Sequence, residues 1–158
     1  MERVIDGDTL VMENGERVRL IGVDTPETKH PRSPVEHFGK EAAAFTRRMV
    51  EGKRVRLEFD PANAARGHKD STQQRRTLAY VFLEDGTLLN AEIIKQGYGF
   101  AYTRFPFAWM DEFRRLERVA KEQARGLWSL EVIHPRRSGP KKFLTGSRGS
   151  AGRKAYLL

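Results

Sequence analysis

Cysteine is absent from the 158 residues of this sequence. Disulfide bonds, thiolate zinc sites and thiol nucleophiles are therefore excluded, and a metal site in this chain would need oxygen or imidazole ligands. The four histidines show no metal-ligand spacing, and we expect loop or surface positions for His30, His37, His68 and His134. Carboxylate and carbonyl oxygens, the ligands of hard cations, remain as the candidates for a metal site.

Long apolar runs are missing as well. A membrane-spanning helix needs roughly 20 apolar residues, and because no run approaches that length we expect no membrane segment. Met1 lies five residues before Asp6, which leaves no room for a signal peptide, and we expect any such peptide to have been removed. The length suits one domain that buries roughly two thirds of the surface of its unfolded chain.

Acidic residues are lacking from the last part of the chain. The net charge is +8, and residues 135–158 contain seven basic and no acidic residues, which leaves +1 for the rest. This segment is rich in Gly and Ser and has no hydrophobic period. We therefore predict a domain over residues 1–133 and a flexible, solvated basic tail over residues 134–158. A weak nucleic-acid clamp is the alternative role for the tail.

Short strands are predicted from alternation and from turn residues. Asn14-Gly15 and Asp85-Gly86 are strong hairpin-turn signals, and residues 54–59 alternate strictly between charged and apolar side chains. The predicted strands beside these signals cover residues 10–12, 17–23, 54–59, 78–83 and 87–88. Between them, residues 60–75 are polar and contain Pro and Gly, which predicts a mobile loop.

Helices are predicted from spacings of three and four between apolar residues. One begins at Phe38 and ends at Gly52, a short one begins with Asn90 as its N-cap and ends at Gly97, and a third covers residues 108–125. In the third helix we expect a buried face made of Phe113, Leu116, Ala120 and Ala124. An order of about five short strands with interposed helices, β-β-β-α-β-β-α-α, is compatible with a small closed barrel that carries helices.

Acidic residues and an arginine are concentrated in two segments, at residues 4–9 and 18–28. The first contains Asp6 and Asp8, and the second contains Arg19, Asp24 and Glu27. Carboxylates of this kind hold a hard cation, and an arginine holds a phosphate, so the combination predicts metal-assisted cleavage of a phosphodiester. Each segment alone also has an ordinary interpretation, a turn for the first and a helix-capping pair for the second.

Asp-Gly-Asp-Thr at residues 6–9 and Arg-Leu-Ile-Gly-Val-Asp-Thr-Pro-Glu-Thr at residues 19–28 resemble the staphylococcal nuclease (thermonuclease) family. The resemblance continues in the family's order to about residue 130, through Phe38-Gly39-Lys40-Glu41-Ala42, Phe45-Thr46, Arg76-Thr77-Leu78-Ala79-Tyr80-Val81, Leu89-Asn90, Gln96-Gly97 and Gly126-Leu127-Trp128. It implies an α+β protein, namely a five-stranded OB-fold β-barrel with about three α-helices.

The resemblance also implies a function. We expect a calcium-dependent endonuclease that hydrolyses DNA and RNA with little sequence specificity, by attack of water, and that leaves 3′-phosphate and 5′-hydroxyl ends. DNA and RNA are the expected partners, and we expect a monomer. Family members are often exported, so a secreted or periplasmic location is expected. The alternative is a non-catalytic OB-fold module that binds single-stranded nucleic acid, although such a module would have little use for the acidic residues and arginines together.

The resemblance implies a calcium (Ca2+) site made of three residues. Asp8 and Asp24 match ligands that bind through their carboxylates, and Thr25 matches a ligand that binds through its backbone carbonyl. Calcium accepts several hard oxygens in irregular geometry, with water at the open positions. Asp6 resembles an acid behind these ligands that steers a bound water, and a turn-forming Asp is its alternative.

The remaining roles implied by the resemblance concern catalysis and substrate binding. Glu27 matches the carboxylate that orients or deprotonates the attacking water, and Arg19 and Arg76 match the arginines that grip the scissile phosphate. Tyr102 matches a base-stacking position, with an ordinary core or surface aromatic as its alternative. Here the chain departs from the family, with Arg104 in place of a second aromatic residue.

A second departure from the family precedes Arg76. The sequence there is Gln73-Gln74-Arg75-Arg76, whereas the family usually has Tyr-Gly before the arginine. The tyrosine that would help to hold a terminal phosphate is therefore missing. The adjacent Arg75 leaves a one-position alternative for the second arginine.

Overall fold

A computed structural model describes residues 1–27, 38–129 and 132. In this part of the chain seven strands are formed: β1 Arg3–Asp6, β2 Thr9–Val11, β3 Arg17–Leu20, β4 Val23–Asp24, β5 Val55–Glu58, β6 Thr77–Leu83 and β7 Phe100–Ala101. The same residues form three α-helices, α1 Gly39–Val50, α2 Leu89–Lys95 and α3 Met110–Glu122, and two short 3-10 helices, Pro61–Arg66 and Gly126–Trp128.

The main sheet has five strands in the order β1-β2-β3-β6-β5. Neighbouring strands are antiparallel except β3 and β6, which pair in parallel. The α+β class agrees with the prediction, but the individual strands agree only in part. Strand β1 was not predicted, and the predicted strand at residues 87–88 is only an isolated bridge between Leu88 and Phe82. The predicted closure into a barrel is not seen in the described residues, because β1 and β5 do not pair. Helix α1 packs on β1 instead. Just after α1, the N–H of Gly52 donates to the carbonyl of Met1 at 3.1 Å.

A second ladder of two-residue strands joins β4 to β7, with Val23 opposite Ala101 and Asp24 opposite Phe100. Strand β7 was not predicted, since two residues carry no measurable alternation. This ladder positions Asp24, because it connects the second acidic segment to the chain that precedes α3. Tyr102, just after β7, donates its N–H to the carbonyl of Gly22 at 2.9 Å.

One hydrophobic core lies between the sheet and the helices. Its largest fully buried side chains are Leu10, Val18, Leu20, Val23, Val50, Val81, Leu89, Ile93, Ile94, Phe113 and Leu127. Asn90 is buried among them and is not the predicted N-cap of α2. Its side chain accepts the N–H of Val81 at 3.0 Å and donates to the carbonyls of Ile21 and Ala79, so it links β6 to the turn after β3.

The helices otherwise follow the predicted pattern with small shifts. Helix α1 precedes Gly52 (φ +76°), and α2 precedes Gly97 (φ +84°), as predicted. Helix α3 begins two residues later than predicted and ends at Glu122. Ala124 was predicted to be buried but is exposed, because it lies beyond the end of the helix in a left-handed conformation with φ +52°.

The predicted mobile loop at residues 60–75 contains regular structure instead. Asp60 caps the 3-10 helix Pro61–Arg66 by accepting the N–H of Ala62 at 2.9 Å, and Gly67 ends it with φ +63°. The chain then returns antiparallel to itself, with Lys69 bridged to Thr77. The sequence signal failed here because the stabilising contacts are side-chain caps and long-range bonds rather than an apolar period.

Several predictions concern residues outside the described part of the chain. These are the tail at residues 134–158, the domain end at residue 133, and the positions of His30, His37 and His134. Of the described residues, none belongs to a helix with both the length and the apolar character needed to cross a membrane.

Candidate active site

Strand ends bring the acidic residues and the first arginine together. Asp8 lies in the turn between β1 and β2, Arg19 lies in β3 opposite Thr9 of β2, and Asp24 ends β4. The chain reverses between β3 and β4 at Gly22, whose φ is +75°. A Cβ there would lie 2.5 Å from the ring of Phe107, so this close approach and the positive φ both require glycine.

Arg19 holds a fixed position at the centre of this group. Its Nη1 donates to the carbonyls of Leu20 at 2.9 Å and Val23 at 2.5 Å. Its Nη2 lies 3.5 Å from Asp8 Oδ2 and 3.7 Å from Asp24 Oδ1. One edge of the guanidinium therefore shapes the β3–β4 turn, and the other faces both carboxylates.

Asp8 is buried and hydrogen-bonded through both oxygens. Oδ1 accepts from the hydroxyl of Thr9 at 3.0 Å, and Oδ2 accepts from the backbone N–H of Thr25 at 2.9 Å. These bonds fix the direction of the carboxylate and bring Thr25 beside it. The hydroxyl of Thr25 is also buried and has no hydrogen-bond partner among the described residues.

Negative charge is concentrated around Asp24. Partial burial raises the pKa of the Asp24 carboxyl above its usual value, the charges of Asp8 and Glu27 raise it further, and the charge of Arg19 lowers it. Arg19 faces the carboxylates of Asp8 and Asp24, and the charges of Asp8 and Glu27 both disfavour ionisation of Asp24. A cation placed among them would relieve that repulsion.

The donor set fits a hard cation. Carboxylates at Asp8 and Asp24 and the carbonyl of Thr25 are oxygen ligands of the type that calcium prefers, and irregular geometry with water at open positions is acceptable to it. Within residues 1–27 and 38–129 no group of three His, Cys, Asp or Glu side chains has the geometry of a metal cluster. Backbone and water oxygens would therefore have to complete the coordination.

Arg76 lies immediately before β6, the neighbour of β3 in the sheet, and is held close to this group. Its Nε donates to Asp70 Oδ2 at 2.7 Å, and its Nη1 lies 3.4 Å from the hydroxyl of Thr9, which itself donates to Asp8. Burial disfavours ionisation of Asp70, but hydrogen bonds from Arg76 and Thr72 outweigh it and hold the pKa of the carboxyl below its usual value.

Arg75, the one-position alternative, is fully on the surface. It has φ +46° and does not line the cavity that contains Arg76. Arg76, by contrast, lines that cavity and contacts the hydroxyl of Thr9. The geometry favours Arg76.

Glu27 and Asp6 lie at the edges of the group. Glu27 is exposed, and its backbone carbonyl is closely packed by the start of α1, since a Cβ at Gly39 would lie 2.3 Å from it. Asp6 ends β1 opposite Thr9 at an irregularity of the β1–β2 ladder and is partly buried. Glu27 is close enough to Asp24 for its charge to raise the pKa of the Asp24 carboxyl, and Asp6 lies two residues before Asp8 in the chain.

A cavity of about 330 Å³ brings four of the predicted residues to one surface, namely Arg19, Asp24, Arg76 and Tyr102. Asp6, Asp8, Thr25 and Glu27 are not part of its lining. The volume is at the lower end of small-molecule sites and suits one nucleotide unit. Phe105, which is 51% exposed, and Arg66 lie at its rim.

Two residues of the site were missed in the sequence. Asp70, which anchors Arg76, lies in the segment predicted to be a mobile loop, where a single acid carries no signal. Thr9, which links Asp8 to Arg76, occupies an ordinary strand position. Only the hydrogen bonds from Arg76 to Asp70 and to Thr9 reveal both roles.

Comparison with known proteins found matches over most of the chain. The model of the staphylococcal nuclease homologue family matches residues 17–130, which include six of the eight candidate residues. A thermonuclease from Staphylococcus intermedius is 43% identical over 127 residues, covering 78% of this chain and 69% of the relative. A thermonuclease from Staphylococcus hyicus is 35% identical over 131 residues, covering 80% and 73%. Endonuclease YncB from Bacillus subtilis is 37% identical over 134 residues, covering 82% and 60%.

Proposed function

Since the chain belongs to the staphylococcal nuclease family, we propose that it is a calcium-dependent endonuclease that hydrolyses DNA and RNA with little sequence specificity. Its relatives are thermonucleases and an endonuclease, and the protein is accordingly a nuclease, that is, a phosphodiester hydrolase. The proposal adds the calcium dependence, the breadth of substrate and the product ends, a 3′-phosphate and a 5′-hydroxyl.

The observation that carries the proposal is the pairing of two arginines with clustered acids at one cavity. Arg19 and Arg76 both line it, Asp8 contacts Arg19 directly and reaches Arg76 through the hydroxyl of Thr9, and Asp24 faces Arg19. Two planar cations suit a phosphodiester, whose two free oxygens can each accept from a guanidinium fork. The acids would otherwise repel such a substrate, which supports a cation between them and the phosphate.

In this mechanism Asp8, Asp24 and the carbonyl of Thr25 would hold calcium, which would supply positive charge to polarise the phosphate and lower the pKa of a nearby water. Asp6 orients a water beside these ligands. Asp8 is buried and fixed by two hydrogen bonds, so this ligand is ordered before substrate arrives, which lowers the entropic cost of the productive geometry.

Glu27 accepts the proton of the attacking water, for which an exposed carboxylate with freedom to reach the phosphate is suited. The water oxygen bonds to phosphorus as the bond from phosphorus to the 5′ oxygen breaks, and the 5′ oxygen takes a proton from solvent. Arg19 and Arg76 neutralise the charge that grows on the phosphoryl oxygens and on the leaving oxygen. The phosphate stays on the 3′ side of the cut.

Mass spectrometry of digested DNA and RNA oligonucleotides tests the proposal. We expect fragments from both polymers with the masses of 3′-phosphate and 5′-hydroxyl ends, from cuts at many positions. Fragments with 5′-phosphates would contradict the proposed chemistry. Retention of the oligonucleotide without any cleavage would instead favour the non-catalytic binding module.

We also infer that the domain is an OB-fold and acts as a monomer outside the cytoplasm, in a secreted or periplasmic location. The family membership and the five-stranded mixed sheet support the OB-fold. A site with two carboxylate ligands suits the high calcium concentrations outside cells. Titration calorimetry should therefore give a calcium Kd on the order of 0.1–1 mM; a submicromolar Kd would contradict the proposed location.

A further inference from the structure

The segment between Asp60 and β6 forms a second concave surface beside the cavity of the active site. The 3-10 helix ends at Arg66, and the hairpin that follows is held by the Lys69–Thr77 bridge and by the bond from the Asp70 N–H to the Arg76 carbonyl at 2.9 Å. This second cavity is lined by Ala65, Arg66, Gly67, Lys69, Asp70, Ser71 and Arg75. None of these residues has a role in the mechanism above, apart from Asp70 as the anchor of Arg76.

The charge of this surface is positive. The carboxylate of Asp70 is committed to Arg76, and Lys69 is compensated by Glu16, 3.9 Å away. By contrast, neither Arg66 nor Arg75 forms a salt bridge with any acidic residue of the described chain, and both are exposed. Two uncompensated guanidinium groups therefore remain at one concave surface.

The two cavities are adjacent and share part of their lining. Arg66, Asp70 and Ser71 line both of them, and the guanidinium of Arg66 lies 5.9 Å from the centre of the Phe105 ring at the rim of the active-site cavity. Arg66 thus stands at the boundary, with Arg75 on the far side. A strand whose scissile phosphate lies between Arg19 and Arg76 would pass over Arg66 as it leaves the site.

We propose that Arg66 and Arg75 form a second phosphate-binding subsite that holds the nucleic-acid strand beyond the scissile phosphate. The proposal rests on the proposed function and deepens it, because it makes a polynucleotide, rather than a dinucleotide, the preferred substrate. Phosphate contacts of this kind carry no sequence information, in agreement with low sequence specificity. The subsite also lies in the segment where the chain departs from its family before Arg76.

Salt dependence gives the expected magnitude. Each phosphate contact to a single strand contributes about 0.7 to the slope of log K against log salt concentration. The contribution of one phosphate contact to the binding affinity is therefore about fivefold larger at 0.1 M salt than at 1 M salt. A dinucleotide has a single phosphate, which the scissile site occupies, so it gains nothing from the subsite.

The test compares binding and cleavage for a single-stranded 12-mer and a dinucleotide. We expect Arg75→Gln to lower the salt slope for the 12-mer, measured by fluorescence anisotropy in excess chelator, by about 0.7, and the Arg66→Gln/Arg75→Gln variant to lower it by about 1.4. In cleavage assays with calcium, the KM for the 12-mer should rise about fivefold in Arg75→Gln, with the kcat and the KM for the dinucleotide unchanged.

Arg114→Gln is the matched control, because Arg114 is an exposed arginine on α3 that does not line either cavity. Salt slopes for Arg75→Gln and for the double variant that equal that of Arg114→Gln would overturn the subsite. A KM that rises equally for both substrates would also overturn it, since that would indicate damage to the scissile site. If the protein is not a nuclease, the wild type will not cleave either substrate. The anisotropy measurement of 12-mer binding would still test the subsite in that case.

Discussion

Replacing Asp70 by Asn should lower nuclease activity through Arg76, although Asp70 itself touches no substrate in the mechanism. The change keeps the size of the side chain but removes the charge that accepts from Arg76 Nε at 2.7 Å and from the Arg76 N–H at 3.1 Å. A charge-assisted hydrogen bond exceeds a neutral one by about 1–2 kcal/mol. If that energy holds the guanidinium at the phosphate, we expect a loss of about tenfold in single-turnover rate.

The assay is single-turnover cleavage of a single-stranded oligonucleotide at saturating calcium, with thermal denaturation measured in parallel. Asp85→Asn is the matched control. Asp85, in the turn after β6, accepts the N–H of Thr87, just as Asp70 accepts the N–H of Thr72, but Asp85 is not bonded to Arg76. We expect the control to cleave at the wild-type rate. A rate within twofold of wild type for Asp70→Asn, with the unfolding free energy reduced, would refute the positioning role and leave Asp70 a purely structural residue.

Three further predictions follow from the contacts. Glu27→Gln should lower the rate by on the order of a hundredfold or more with little change in Tm, because Glu27 is exposed; a near-normal single-turnover rate would remove its role. Arg19→Lys should lose rate similarly and also Tm, because a lysine cannot keep both carbonyl bonds of Arg19; an unchanged Tm would contradict the dual role. Burial disfavours ionisation of Asp60, but hydrogen bonds from Ala108, Tyr80 and Ala62 outweigh it and lower its pKa. The ionised Asp60 therefore contributes its full stabilisation above pH 3.8, the pKa of the carboxyl in the unfolded chain, and this stabilisation is lost as the pH falls through the lowered pKa of the folded state. Asp60→Asn should therefore show a smaller fall of Tm in acid than the wild type does. Parallel profiles of Tm against pH for the two proteins would count against this.

The sequence predicted those strands and helices whose ends depend on the backbone conformation of a few neighbouring residues. The Asn14-Gly15 turn, the alternation of residues 54–59 and the glycines after α1 and α2 fix strand and helix ends through backbone conformation within a few residues. The clustering of Asp8, Arg19 and Asp24 was also predictable, because all three lie at strand ends within one short meander. The roles given to these residues remain predictions until they are measured.

Long-range contacts account for what could not be predicted. Asn90 matched an N-cap, yet its side chain is used to bridge β6 and the β3–β4 turn, a choice decided by burial of polar groups rather than by helix propensity. The β4–β7 ladder joins two-residue strands distant in sequence. Asp70 gains its role only when residues 61–77 fold back on β6, which places its carboxylate beside Arg76.

The calcium dependence of the nuclease is tested by the initial rate of single-stranded DNA hydrolysis, measured in calcium and again in excess chelator. The acids around Asp24 and the oxygen-only donor set predict cleavage in calcium, none above background in chelator, and poor activity in magnesium, which demands a stricter octahedral geometry. Recovery of the full rate on re-addition of calcium would exclude irreversible damage. Equal turnover in calcium and in excess chelator would contradict the calcium-dependent mechanism.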